Sequence, residues 1–343
     1  MNQKRAILAF SGGIDSSAAV EILQSEGYEI TALMLSLNVG DEEQIYNARQ
    51  RAEELGVEFV VKDCRELFER EIINNFVREY VAGRTPAPCT RCNPLIKWRV
   101  LVEYAKSVGA EHIATGHYFS TTLHRGKIYV SRAKDPRKDQ SYYLWGVSQE
   151  ALGMALTPMS DKIKEDIKQK STLKKESMGV CFLQGGHYSE LISSRGGRIE
   201  GGDIVDAKGD VVGKHRGLAF YTIGQKRGEG IPSGVAVTAI DAAKNQITVG
   251  EDAELYSRTL TIRDCNVIDE QEWLTSPNIT VMVRGLGRNP EGYARVEKSS
   301  HEGEYIIHLE SPAWACAQGQ PVVLYVGDRV IGGGYFEVSK NTK

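Results

Sequence analysis

A glycine-rich loop between an apolar strand and a helix most constrains how this chain folds. The apolar residues 6–10 lead directly into Ser11-Gly12-Gly13-Ile14-Asp15-Ser16, and a helical pattern follows over residues 16–26. Two adjacent glycines let the backbone turn tightly, so successive N–H groups and the start of a helix face one anion. Neither a Walker A pattern nor a G-x-G-x-x-G fingerprint occurs at this strand. The loop therefore predicts a pyrophosphate cradle of another type.

Strands and helices alternate through the first half of the chain. The predicted strands are residues 6–10, 30–35, 57–61 and 112–115, and the predicted helices are residues 16–26, 42–55, 65–80 and 94–108. This alternation predicts an α/β fold with a doubly wound parallel sheet. After about residue 195, glycine pairs and short β-type runs without an amphipathic helix predict small β domains that end in a barrel. We expect domains at residues 1–194, 195–257 and 258–343.

Composition excludes several classes of protein. The 343 residues contain no apolar run of about 18, which excludes a membrane-spanning helix, and the first apolar stretch is too short for a signal peptide. Six scattered cysteines do not form a secreted disulfide framework, so the expected location is cytoplasmic. The formal net charge is −3, so a nucleic acid would have to bind a local basic patch.

Cys89 and Cys92 form the one grouped pair of cysteines. They lie in a proline-interrupted segment, and Pro94 can start a helix just after Cys92. A thiol near a helix N-terminus with Arg91 and Lys97 nearby is expected to have a lowered pKa. A zinc knuckle would need a second pair, and a thioredoxin-like site would leave the glycine-rich loop without a role.

The segment from residue 161 to residue 176 is the most charged part of the chain. Two interpretations are open, a solvated helix face and a contact with a polyanion. Its lysines are Lys162, Lys164, Lys168, Lys170, Lys174 and Lys175.

The loop from Ser11 to Ser16 resembles that of the PP-loop ATP pyrophosphatases, which cleave ATP between the α and β phosphates and adenylate a substrate oxygen. Over nearly its whole length the chain is similar to the bacterial tRNA-specific 2-thiouridylases, the MnmA family. The similar segments are residues 11–16, 83–86, 92–93, 114–118, 138–142, 179–182, 217–225 and 319–320. The resemblance implies a Rossmann-like PP-loop domain (adenine nucleotide alpha hydrolase-like), a small central β domain that contacts tRNA, and a C-terminal β-barrel.

The implied activity is ATP-dependent sulfur transfer to tRNA. ATP would adenylate the C2 oxygen of the wobble uridine, and sulfur from a cysteine persulfide would replace that oxygen, giving 2-thiouridine, AMP and pyrophosphate. Cys181, which in isolation is typical of a small core residue, becomes by resemblance the persulfide carrier. Cys92 becomes its nucleophilic partner, and the two can end as a disulfide. The implied partners are the tRNA anticodon arm and a persulfide donor or sulfur-relay protein, with Mg²⁺ at the phosphates because the loop has no lysine.

The resemblance also assigns binding residues by position. The implied ATP contacts are Ala9, Phe10, Ser11, Gly12, Gly13, Ile14, Asp15, Ser16, Met34 at the adenine, and Gly116. The implied tRNA contacts are Ala87, Pro88, Cys89, His117, Lys138, Asp139, Gln140, Arg284, Gly285 and Gln320. The candidate basic patch for the tRNA phosphates is Lys214, Arg216, Lys226, Arg227, Arg284 and Arg288.

Two positions depart from the family pattern. Cys89 stands where many members have an acid, which leaves the acid/base role open. It also makes Cys89, Cys92 and Cys181 an alternative ligand set for a 4Fe-4S cluster that would activate sulfide. The segment Arg284-Gly285-Leu286-Gly287-Arg288 lacks the usual aromatic after its first arginine.

Other hypotheses for the function are a PP-loop ligase acting on a metabolite, a non-catalytic nucleotide-sensing RNA-binding protein, and a C-x-x-C redox or zinc module. Cys64, Cys265 and Cys316 are interpreted as structural.

Overall fold

The computed structural model describes residues 4–171, 181–183, 188–195, 199–285 and 287–338. These residues form two compact units. The first combines residues 1–72, 89–184 and 328–330, and the second combines residues 73–88, 185–327 and 331–343. Within the described ranges, no helix is long and apolar enough to cross a membrane.

Strands and helices alternate up to α8, and strands dominate after α9. The strands are β1 Lys4–Ala9, β2 Tyr28–Ser36, β3 Glu58–Asp63, β4 His112–Thr115, β5 Ser120–His124, β6 Lys127–Ser131, β7 Ala155–Leu156, β8 Gly202–Val205, β9 Val211–His215, β10 Ala236–Asp241, β11 Gln246–Gly250, β12 Tyr256–Val267, β13 Ile279–Met282, β14 Ala294–Lys298, β15 Tyr305–Trp314, β16 Pro321–Val326 and β17 Arg329–Glu337. The helices are α1 Ile14–Ser25, α2 Glu42–Glu54, α3 Arg65–Phe68, α4 Asn74–Val81, α5 Pro88–Cys92, α6 Arg99–Ser107, α7 Gln149–Met154, α8 Lys164–Lys170, α9 Tyr188–Ser194 and α10 Glu270–Thr275. Two π-helical turns, Glu69–Ile73 and Asn93–Trp98, join α3 to α4 and α5 to α6.

The first unit is built on a parallel five-stranded sheet. Its strand order is β3-β2-β1-β4-β7, so the sequence order reverses between β1 and β4. Ligands of open α/β sheets bind at the carboxyl ends of the strands at such a reversal. The glycine-rich loop follows β1 there, which confirms the predicted parallel α/β fold and places the loop at this crevice.

The second unit contains two β structures. The strands β10-β11-β8-β9 form a small sheet, and β12-β15-β14-β13-β16-β17 close into a six-stranded antiparallel barrel because β12 pairs with both β15 and β17. This confirms the predicted terminal barrel. The short helix α10 is a difference from the sequence prediction. It begins at Asp269, whose carboxylate accepts from the N–H groups of Gln271 and Glu272, and it is too short to show helical periodicity.

Candidate active site

The loop after β1 has a backbone that requires glycine. Gly12 has φ +72°, and a Cβ there would lie 2.8 Å from the Cα of Ala48 on α2. Gly13 is the N-cap of α1 and offers no side-chain acceptor, so no side chain caps the first N–H groups of α1. The loop can therefore present backbone N–H groups to an anion, as predicted from the sequence.

Two serine hydroxyls brace the loop. Ser11 Oγ lies 3.3 Å from Ser16 Oγ and accepts from the Gly13 N–H at 3.4 Å. Ser16 Oγ donates to the Gly13 carbonyl at 3.1 Å. Ser16 is buried and Ser11 is exposed, so Ser11 is the hydroxyl that a ligand in the crevice can reach.

The residue after β4 packs directly on the start of α1. A Cβ on Gly116 would lie 2.9 Å from the carbonyl carbon of Asp15 and 2.9 Å from the Ser16 nitrogen. The predicted contacts Phe10, Ile14 and Met34 are buried. Their contact with a nucleotide remains a prediction.

The carboxylate of Asp15 binds two side chains from distant parts of the first unit. Lys164 Nζ donates to its two oxygens at 2.7 and 2.8 Å, and the Tyr118 hydroxyl donates to Oδ1 at 2.9 Å. Lys164 is 7% exposed, so the solvated-face interpretation is wrong for this lysine. Sequence reasoning missed this cation of the loop because the two residues are 149 positions apart and no motif joins them.

The two grouped cysteines lie on a helix that starts earlier than predicted. It begins at Pro88, so Cys89 is in its first turn and Cys92 is the last residue of α5. Cys92 therefore lacks the helix N-terminus that the lowered pKa depended on. Burial raises the pKa of the Cys92 thiol to about 12, and the neighbouring charges of Cys181 and Cys89 add to the increase. The predicted lowered pKa is wrong.

Lys97 is the cation shared by the three site thiols. Burial raises the pKa of Cys89, Cys92 and Cys181, because the thiolate loses hydration. The charge of Lys97 acts in the opposite direction and lowers the pKa of each thiol. The π-helical turn explains why Lys97 lies close to Cys92. Its hydrogen bonds join residues five apart, and Lys97 follows Cys92 by five positions. Cys89 and Cys181 nevertheless retain exposed atoms.

His117 holds Lys97 in place. Lys97 Nζ lies 3.2 Å from Nε2 of His117, and Nδ1 lies 2.8 Å from Thr115 Oγ1. Burial, and then the Lys97 charge, lower the pKa of His117 well below its usual value, so the ring is neutral. Because an ammonium has no lone pair, Nε2 accepts from Lys97 and Nδ1 donates to Thr115. Both ring nitrogens have protein partners, and the predicted tRNA contact of His117 remains a prediction.

Cys181 lies in the segment of residues 181–183, and Phe182 of this segment packs on α3. The ring of Phe182 lies edge-on to that of the buried Phe68, with centroids 5.8 Å apart. The backbone N–H groups of Cys181 and Phe182 favour its thiolate. Cys181 and Cys89 raise the pKa of Cys92, and Cys89 raises the pKa of Cys181, so the three thiols lie near one another.

All six thiols are free in this structure. Among the residues that the structure describes, which include Cys89, Cys92 and Cys181, no three His, Cys, Asp or Glu side chains are grouped to hold a metal ion. These residues do not fit a cluster as they stand, and the 4Fe-4S alternative gains no support. The disulfide between Cys92 and Cys181 stays a prediction.

The predicted tRNA contacts Lys138, Asp139 and Gln140 lie in a loop braced by its own side chains. Asp139 Oδ2 accepts from the Ser141 hydroxyl at 2.7 Å, and Gln140 Oε1 accepts from the Tyr118 N–H at 2.9 Å. Lys138 is exposed. A tRNA contact at these three residues remains a prediction.

Arg284 and Gln320, in the second unit, are also engaged within the protein. The Arg284 guanidinium donates to the Ala315 carbonyl at 2.9 Å and lies 5.2 Å from the Trp314 ring centroid. Gln320 Nε2 donates to the Thr85 carbonyl at 2.8 Å. Ala87, Pro88 and Gly285 are half-buried. A tRNA contact at these residues remains a prediction.

Besides Arg284, four cations of the predicted basic patch have partners in the second unit. The pairs are Lys214 with Asp203, Arg216 with Phe220, Lys226 with Asp252, and Arg288 with Tyr256. Sequence reasoning also missed Asn289. Its side-chain amide accepts from the Val283 and Arg284 N–H groups and donates to three carbonyls, which organises the loop that carries Arg284.

The raised pKa of Cys92 predicts how this thiol reacts. Because its pKa is about 12, its thiolate fraction should grow about tenfold per pH unit from pH 8 to pH 10 without reaching a plateau. The alkylation rate of Cys92 with iodoacetamide follows this thiolate fraction, and differential alkylation with peptide mass spectrometry measures it. Since Lys97 lowers that pKa, Lys97→Met should slow alkylation of Cys92 at a fixed pH. Lys106→Met, on the exposed face of α6, is the control, and a plateau near pH 9 in the wild type would contradict the assignment.

Comparisons with known proteins agree with this architecture. Three family models match in succession: a tRNA methyl transferase HUP domain at residues 4–185, a tRNA methyl transferase PRC-barrel domain at residues 192–251, and an aminomethyltransferase beta-barrel domain at residues 257–336. A protein of Moorella thermoacetica named tRNA-specific 2-thiouridylase MnmA is 36% identical, covering 96% of this chain and 99% of its own. A Bacteroides fragilis protein named tRNA-specific 2-thiouridylase MnmA 3 is 35% identical, covering 97% and 94%. A Pelotomaculum thermopropionicum protein with the MnmA name is 33% identical, covering 98% of both chains.

Proposed function

Because the chain belongs to the tRNA-specific 2-thiouridylase (MnmA) family, we propose that it converts the wobble uridine of tRNA to 2-thiouridine, using ATP and a cysteine persulfide. The observation that carries this proposal is the pairing of two sites in one unit. The glycine-rich loop lies at the switch point of the sheet, and the charge of Lys97 favours the thiolate at Cys89, Cys92 and Cys181. A redox or zinc module would not need the loop, and a metabolite ligase would not need the thiols.

The first step activates the uridine. A carbonyl oxygen at C2 is a poor leaving group, so the oxygen attacks the α-phosphorus of ATP and pyrophosphate departs. The N–H groups at the start of α1 and the hydroxyl of Ser11 are placed to stabilise the departing pyrophosphate. Mg²⁺, when bound with ATP, would neutralise phosphate charge.

The second step transfers sulfur. The Cys92 thiolate attacks Sγ of the Cys181 persulfide, the persulfide S–S bond breaks, and hydrosulfide leaves with the electron pair. Hydrosulfide attacks C2, AMP departs with the former C2 oxygen, and a Cys92–Cys181 disulfide remains. A thiol reductant must supply two electrons before the next turnover. Burial opposes the loss of the Cys92 proton, and the charge of Lys97 offsets part of that effect by stabilising the thiolate.

The β structures of the second unit are proposed to hold the anticodon arm. We retain the expected division into a catalytic domain at residues 1–194, a central domain at 195–257 and a barrel at 258–343. The contacts would be mostly to phosphates, so tRNA affinity should fall as salt rises. A sulfur donor that loads Cys181 must reach its thiol, and Cys181 is an exposed residue.

The direct test is nucleoside mass spectrometry on unmodified tRNA. The full-length protein is incubated with ATP, Mg²⁺ and a persulfide donor, and parallel reactions omit ATP or the donor. We expect wobble 2-thiouridine, AMP and pyrophosphate only in the complete mixture. Binding of tRNA and ATP with no thiolated product would instead indicate a nucleotide-sensing RNA-binding protein. AMP release on a metabolite without tRNA would indicate a ligase.

A further inference from the structure

Lys164 has a side chain with an unusual location. It is 8% exposed, and its ammonium donates to both oxygens of Asp15 inside the phosphate loop. Its backbone is anchored as well, because the Lys164 N–H donates to Oδ2 of the buried Asp135 at 3.0 Å. The start of α8 is therefore held at two points, by Asp15 in the loop and by Asp135 outside it.

A carboxylate in an anion cradle needs an explanation. Asp15 lies in the first turn of α1, where the backbone N–H groups favour a negative ligand, and its own charge would repel a polyphosphate. The Lys164 ammonium is nearly buried and has lost most of its hydration. The free-energy cost of that loss often exceeds what an ion pair returns to stability. The placement of this pair at the loop therefore indicates a role toward the ligand.

We propose that Lys164 is the cation of the phosphate site. Without nucleotide its ammonium is held by Asp15, and the phosphates of a bound nucleotide take the ammonium over. Lysine suits such an exchange because it is a compact charge on a flexible chain. The inference rests on the proposed use of ATP, and it supplies the positive charge that the loop sequence lacks.

Two features of the site fit this exchange. Tyr118 continues to donate to Asp15 at 2.9 Å, so the carboxylate keeps one protein partner when the ammonium moves. The Asp15 side chain is 36% exposed, so water, or the Mg²⁺ that accompanies ATP, can reach it.

The test measures binding rather than turnover. Isothermal titration calorimetry on the full-length protein without tRNA gives the affinity for MgATP and, separately, for inorganic pyrophosphate. Lys164→Met should weaken both by about tenfold or more, because one charge-assisted contact is lost. Lys164→Arg, which keeps the charge, should restore most of the affinity, and a thermal melt confirms that each variant is folded. Lys162→Met is the matched control, since Lys162 pairs with Asp161 and should leave both affinities unchanged.

A double variant separates this role from simple neutralisation of Asp15. If Lys164 contacts phosphate, Asp15→Asn with Lys164→Met should still bind more weakly than the wild type, although removal of the Asp15 charge recovers part of the affinity lost in Lys164→Met. Wild-type affinity in the double variant, or in Lys164→Met itself, would overturn the inference. If the wild type binds pyrophosphate but not ATP, the proposed function fails while the pyrophosphate series still tests Lys164.

Discussion

Serine in place of Cys181 or Cys92 is expected to abolish 2-thiouridine formation, lowering its rate by about 10³-fold or more. Serine removes the sulfur that carries the persulfide at Cys181 and the nucleophile at Cys92, and a hydroxyl replaces neither. Affinity for ATP and tRNA should be unchanged. Nucleoside mass spectrometry measures the product, and calorimetry with ATP shows that the loop is intact.

Cys89 supplies the discriminating variant of this series. In the persulfide mechanism, Cys92 and Cys181 alone supply the two electrons that release hydrosulfide. Cys89→Ser should therefore keep the rate of 2-thiouridine formation within about threefold of the wild type, as expected for a substitution at an exposed residue. Cys265→Ala, in the second unit, is the control. Loss of activity in Cys89→Ser together with iron in the active protein would overturn the persulfide mechanism and favour the cluster alternative.

Alanine at Gly116 is expected to damage ATP binding without unfolding the protein. The added methyl group would lie 2.9 Å from the backbone of Asp15 and Ser16, so the loop must shift. Overpacking of this kind costs about 1–3 kcal/mol. If the loop bears that cost, the affinity for ATP falls by about 5- to 150-fold. Titration calorimetry with MgATP checks this, and a thermal melt confirms that the variant is folded.

Gly153→Ala is the matched substitution for Gly116→Ala. Gly153 lies on α7, and a Cβ there would meet no atom within 4 Å. This change should leave ATP affinity unaltered and stabilise the helix by roughly 0.5–1 kcal/mol. Equal ATP affinity in the Gly116 and Gly153 variants would show that the crevice beside β4 does not hold the nucleotide.

The sequence predicted the elements whose signals are local. The strand before Ser11, the paired glycines and the alternation of β and α segments are patterns within a few dozen residues, and the parallel sheet and terminal barrel follow from them. Helix ends were less well predicted. Pro94 was predicted to start a helix. The helix α5 already begins at Pro88, and Pro94 lies in the π-helical turn that follows it.

By itself the sequence determined the fold class and the position of the glycine-rich loop, because short-range pattern encodes these, whereas the roles of Cys92 and Cys181 rest on the family resemblance and stay a prediction. Only the tertiary structure decided the electrostatics of the site. Burial reversed the expected pKa shift of Cys92, a neutral His117 directed Lys97 toward the thiols, and Lys164 reached Asp15 from a distant helix. Hydration and pairing of charge depend on which segments the folded chain brings together, and spacing along the sequence does not contain that information.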